Sequence, residues 1–178
     1  LGHKSPLYGR RVSAWKLLPF DFATVYKTLP SVKDAMEKRF VFGNIPYYLG
    51  FYDNEADLYS NIRESMLTKG TGLYDEPLVL LRQEFRESRT YRLILKYISL
   101  GYKSLGKLCS ATGMDKSNIS KYLSTLEETN LVRHITPLGK KRGGIYEIND
   151  PFFRFWFHFV YPNRDKLEIG NIPPVESQ

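Results

Sequence analysis

The chain holds a single cysteine, Cys109, and only three histidines, His3, His134 and His158, among its 178 residues. One thiol cannot close an intrachain disulfide, and no Cys/His spacing suits a tetrahedral zinc site, so neither a disulfide scaffold nor a metal centre is expected. No apolar run approaches the roughly 18 to 20 residues that cross a bilayer, and Leu1 to Pro6 lack the apolar stretch of a signal peptide. A membrane partner is therefore excluded from the reading, and a cytoplasmic location is expected. Catalytic constellations are missing as well. The carboxylate pairs Asp75/Glu76 and Glu127/Glu128 are adjacent in sequence, so on a helix they point in different directions and do not work as acid and base. Gly101 to Leu108 falls one residue short of the phosphate-binding pattern G-x-x-x-x-G-K-[ST]. Leu108 stands where a hydroxyl would meet magnesium, and no buried strand precedes Gly101. Catalysis by this chain alone is disfavoured.

What the chain does have is positive charge in one place. Residues 1–87 carry 12 Lys+Arg against 11 Asp+Glu, residues 88–145 carry 11 against 3, and residues 146–178 carry 3 against 5. The whole excess sits in the middle segment. A partner meets a local field and not an average, so this block is the candidate surface for a polyanion.

The apolar run Trp15 to Phe20 reads as a strand, followed by a helical stretch from Asp21 through Tyr26 and Leu29. A lone strand has nothing to pair with and is expected to belong to a larger upstream domain. Ser31 caps a helix over Val32 to Phe42, and Gly43 to Pro46 break it. A second helix is expected from Tyr47. Asp53 or Asn54 caps a third with Leu58, Ile62 and Leu67 on one face, ended by Gly70 and Gly72, and Glu76-Pro77 opens a fourth with Leu78, Leu81, Glu84 and Phe85 in helical spacing. This region reads as a small helical bundle.

Tyr91, Ile94, Leu95 and Ile98 follow the i, i+3, i+4, i+7 pattern of a helix with one buried stripe, stopped by Gly101. A short helix from Ser104 to Thr112 buries Leu105, Leu108 and Cys109, and Gly113 supplies the left-handed residue of a tight corner. Asp115 caps the next helix. Its buried stripe is Ile119, Tyr122, Leu123 and Leu126, which leaves Lys116, Ser117, Ser120, Lys121 and Ser124 on the other side, a face fit for a major groove. Asn130 takes the left-handed exit. Leu131 to Ile135 and Ile145 to Ile148 are strands joined by a basic, glycine-flanked tip holding Lys140, Lys141 and Arg142. Three helices and a hairpin in this order specify a winged helix-turn-helix. The fold class is thus mainly α with a small β wing. Asn149-Asp150-Pro151 then cap a helix carrying seven aromatics before Pro162 ends it, and such density favours a buried packing helix over a base-stacking platform.

Ser5 to Arg11, Gly43 to Leu49, Leu73 to Pro77 and Asp150 to Phe157 together resemble the archaeal P-loop ATPase family, related to AAA+ and STAND proteins. The resemblance covers nearly the whole chain but only the part of such proteins that follows the nucleotide-binding core. It implies four parts: residues 1–30 as the end of the ATPase core, 31–87 as a helical lid, 88–148 as the winged helix-turn-helix, and 149–178 as the aromatic helix opening a truncated C-terminal domain. It also implies that the parent protein binds ATP and magnesium, none of which this chain alone should hold. Arg10 and Arg11 match the place of an arginine finger, which neutralises charge developing on a γ-phosphate. Gly43, Pro46 and Tyr47 match the adenine side of the lid, with Asn44 where the family has a second glycine.

The expected function is duplex DNA binding under nucleotide control. Lys116, Ser117, Asn118, Ser120 and Lys121 would face the groove, and Lys140, Lys141 and Arg142 would meet phosphates or the minor groove. Other expected partners are the upstream ATPase domain and a further copy of the chain or another protein. The alternative is a winged helix that serves as a regulatory protein-interaction arm without DNA.

Overall fold

The computed structural model describes residues 20–27, 31–139 and 143–170. The expected strand at Trp15, the arginines Arg10 and Arg11, the segment holding Leu29 and the tip cations Lys140, Lys141 and Arg142 lie outside the described residues.

Helix ends follow local hydrogen-bond chemistry closely. Asp21 accepts from the Thr24 amide at 2.7 Å and starts α1 (Phe22–Tyr26). Ser31 accepts from the Asp34 amide at 3.2 Å and starts α2 (Val32–Phe42), as its sequence predicts. Gly43 ends α2 at φ +74°, open to glycine alone at low cost. The helix expected from Tyr47 is a single turn, α3 (Pro46–Leu49), ended at Gly50. The third helix starts later than expected. Its cap is neither Asp53 nor Asn54 but Asp57, which accepts from the Ser60 amide at 3.0 Å at the head of α4 (Leu58–Ile62). Asp53 and Asn54 are engaged elsewhere: Asn61 clasps the Asp53 backbone through both its amide atoms, and Asn54 accepts from the buried Lys38 ammonium at 3.3 Å.

From Arg63 to Leu67 the helix widens into a π turn. The extra residue per turn puts Leu67, five residues after Ile62, back on the buried face, where an α-helix would have carried it round. The helix is over at Thr68, before either glycine. Pro77 sits in the first turn of α5 (Glu76–Glu84), which buries Leu78 and Leu81.

The winged unit consists of α6 (Ser88–Ser99), α7 (Leu105–Thr112), α8 (Lys116–Glu128) and the antiparallel pair β1 (Val132–Ile135) and β2 (Ile145–Ile148). Val132 faces Ile148 in the register, and both are buried. The aromatic segment starts as α9 (Pro151–Phe155) under the Asp150 cap, passes through a π turn at Trp156–Val160 and a 3-10 turn at Tyr161–Asn163, and goes on as α10 (Arg164–Glu168). The helical course therefore continues past Pro162, which sits at the start of the 3-10 turn. A proline near a helix start lacks only an amide that would go unsatisfied anyway.

One core runs through the bundle from α2 onward, the winged unit and the aromatic segment. Phe42 and Tyr48 from the bundle, Ile94, Leu108, Ile119 and Leu126 from the winged unit, and Phe152, Phe153, Trp156 and Phe157 from the aromatic segment belong to a single apolar cluster. The aromatic segment is its hub. Phe152 meets the Tyr48 ring at 4.4 Å, the Trp156 indole donates to the Tyr74 carbonyl at 3.0 Å, and Ser99 Oγ donates to the Phe157 carbonyl at 3.1 Å.

Candidate nucleic-acid interface

The candidate surface is built by the corner between α7 and α8. Ser104 caps α7 by accepting from the Lys107 amide at 3.3 Å, so Gly101 to Leu108 form a helix entry and no phosphate loop. Gly113 is left-handed (φ 71°, ψ 8°) and turns the chain within one residue. Asp115 then accepts from the Asn118 amide at 3.0 Å, and these hydrogen bonds hold its carboxyl below the usual carboxylate range. Ile119, Leu123 and Leu126 are buried and fix the rotation of α8 about its axis. Lys116, Ser117, Asn118, Ser120, Lys121 and Ser124 consequently all face outward and are exposed.

Tyr122 departs from the expected stripe. It is half-buried, packs edge-on against Tyr91 at 5.1 Å, and its hydroxyl donates to the Glu87 carboxylate. Two outward residues already use a donor each. Asn118 donates to Asp115 Oδ2 at 2.5 Å, which leaves its second N–H and its carbonyl, and Ser124 donates to Glu128 at 3.3 Å, which leaves its hydroxyl as acceptor. Lys116 and Lys121 have no ion-pair partner among the described residues.

The wing stands on cross-strand pairs. Arg133 lies opposite Glu147 and donates to it at 3.1 Å, while His134 stacks on Tyr146 with ring centres 4.5 Å apart. Glu147 also accepts from Lys103 at 2.8 Å, and the Tyr146 amide donates to the Lys103 carbonyl at 2.7 Å, so the loop before α7 is bound to the sheet. These two cations lower the Glu147 pKa below its ordinary value, and Glu147 in turn offsets their charge. Lys107 joins the exposed surface. It lines a shallow cleft with Tyr102 and Ser110, and in the sequence its place in a near-match to a phosphate loop masks it as a surface cation.

The residues matched to the adenine side of a lid are divided. Gly43 is buried, and a β-carbon on it would come within 3.6 Å of Pro151 Cδ, so the aromatic segment covers it. Pro46 and Tyr47 are exposed, Tyr47 with its ring 5.3 Å from Phe51. Asn44 Oδ1 is buried without a hydrogen-bond partner among the described residues. Among those residues no His/Cys/Asp/Glu group could hold a metal ion, and no helix is long and apolar enough to cross a membrane.

Comparison with known proteins finds a family match at the winged unit. Over nearly all its length the chain is similar to an uncharacterized protein of Methanocaldococcus jannaschii, 30% identical over 175 residues, which are 96% of this chain but 39% of that protein. The chain thus spans well under half the length of this relative. No solved structure matches it. Neither comparison names an ATPase. Residues 89–134, from the start of α6 into β1, match the family described as bacterial regulatory protein, arsR family, and the chain carries a helix-turn-helix of that type.

Proposed function

We propose that this chain binds duplex DNA through the outward face of α8. In this reading Lys116, Ser117, Asn118, Ser120 and Lys121 enter the major groove, and Lys140, Lys141 and Arg142 follow the backbone or the minor groove. The observation that carries it is the pairing of an arsR-type helix-turn-helix with a third helix whose polar and cationic face is wholly exposed. Phosphate contacts dominate the affinity, so binding weakens steeply with salt. A labelled duplex titrated at several salt concentrations tests this. Alanine at Lys116 and Lys121 should flatten the logarithmic salt slope by about 2 units, and alanine at the three tip cations by about 2 to 3. No binding at low salt would dismiss the reading, and an unchanged slope in either variant would remove that element from it.

The chain further reads as the lid and winged-helix portion of a longer ATP-binding protein in which nucleotide state controls the DNA contact. Support comes from the motif resemblance at Ser5 to Arg11 and Gly43 to Leu49 and from the greater length of the relative. Arg10 and Arg11 then act on the γ-phosphate of magnesium-bound ATP, and Gly43, Pro46 and Tyr47 line the adenine side. Val32, Met36 and Phe40 form an exposed apolar stripe at intervals of four on α2, and the upstream ATPase domain is the partner this reading assigns to it. Calorimetric titration of the chain alone with ATP should give no heat of binding. A micromolar response would overturn the division of labour.

A further inference from the structure

A second cationic feature lies at the corner between α5 and α6. A cleft of about 340 Å³ is lined by Leu78, Leu81, Arg82, Ser88, Arg89 and Arg92. Arg82 comes from the last turn of α5, while Arg89 and Arg92 are three apart on α6 and so share a side of it. No acidic residue lines the cleft, and none of the three guanidiniums has an ion-pair partner among the described residues. Two acids lie equally near in sequence: Glu84, which neither lines the cleft nor pairs with the three arginines among the described residues, and Glu87. Glu87, at the cap position of α6, makes no side-chain cap and accepts from the Tyr122 hydroxyl instead.

The three arginines line one cleft over the buried Leu78 and Leu81, Arg82 and Arg89 exposed and Arg92 half-buried, and the positive end of a twelve-residue helix adds to their field. An anion is favoured in that field. A tetrahedral oxyanion fits best, because each guanidinium presents paired N–H groups to two oxygens and the Ser88 hydroxyl can donate to a third. None of the lining residues comes from α7, α8 or the wing, so the cleft is separate from the surface assigned to the groove.

We propose that this corner is a phosphoryl-binding site, distinct from the outward face of α8, that takes one phosphate group of a phosphate monoester or of a nucleic-acid backbone. Inorganic phosphate is the probe, titrated into the chain at constant ionic strength with chloride as the balancing anion. The expected result is saturable: amide resonances of residues 88–92 shift and the unfolding temperature rises, as for any ligand that binds only the folded state. Arg82→Gln with Arg92→Gln should weaken the phosphate response about tenfold or more, on the order of 1.4 kcal/mol. Lys116→Ala with Lys121→Ala should leave it unchanged. Equal responses to phosphate and chloride, or an undiminished response in the arginine variant, would overturn the proposal. A parallel titration with duplex DNA identifies the source. A salt slope reduced by about 1 in the arginine variant assigns the site to the nucleic-acid backbone, and an unchanged slope assigns it to a monoester.

Discussion

Two backbone positions carry opposite predictions. Gly113 and Asn130 both sit at positive φ, 71° and 58°, at the two ends of α8. A β-carbon at Gly113 meets no atom within 4 Å, so the cost of Gly113→Ala is conformational alone, about 1 kcal/mol in urea unfolding. Asn130 already bears that strain, and its side chain makes no hydrogen bond among the described residues. Asn130→Gly should therefore leave stability unchanged or raise it by up to about 1 kcal/mol. A loss in the second variant would mean that the asparagine side chain supports the turn. Gly144 answers to a different constraint: a β-carbon there would run into the His134 ring, so the wing keeps its His134/Tyr146 stack only with glycine at this position.

For the elements, the wing is the one whose attachment depends on pH. Its anchor is Glu147 between Lys103 and Arg133. The folded pKa of Glu147 is lowered, so its contribution is present above the ordinary glutamate range near pH 4.3 and lost as pH falls through the folded value. Both cations are partly exposed, which keeps the contribution near 1 kcal/mol. Glu147→Gln should lower the unfolding temperature at pH 7, and the gap from the parent protein should close on acidification. A constant gap down to pH 3 would assign the effect to packing. The buried stripes of α6 and α8 and the Asp115 cap of α8 are legible in the sequence, because both stripes keep helical spacing and the cap is a local hydrogen bond. The helix from Leu58 is not. Asp53 and Asn54 are as good caps as Asp57 by composition, and the one trace of the π turn, the spacing of five from Ile62 to Leu67, falls outside a 3.6-residue template.

The described residues should unfold as one unit, because the aromatic segment packs against both the bundle and the winged helix. Trp156 and Phe157 have no solvent exposure, and their neighbours come from both sides. Thermal unfolding followed by tryptophan fluorescence and by far-ultraviolet dichroism should show one coincident transition. Phe157→Ala, a large-to-small change in a closed core, should cost about 3 to 5 kcal/mol and destabilise the bundle and the winged unit together. Two separate transitions would show that the aromatic segment serves only one of them.

Sequence alone determined the winged helix-turn-helix, the outward lysines of α8 and the burial of the aromatic segment, since spacing, caps and turn residues are local properties that survive without tertiary context. Tertiary structure alone decided what the aromatic segment packs against, that Gly43 lies beneath Pro151, that Glu147 ties the wing to Lys103, and that Arg82, Arg89 and Arg92 share a cleft. Each of these joins residues that are distant in the chain or on different elements. Such pairings follow from how helices stack, and no periodicity along one helix encodes the neighbour it will meet.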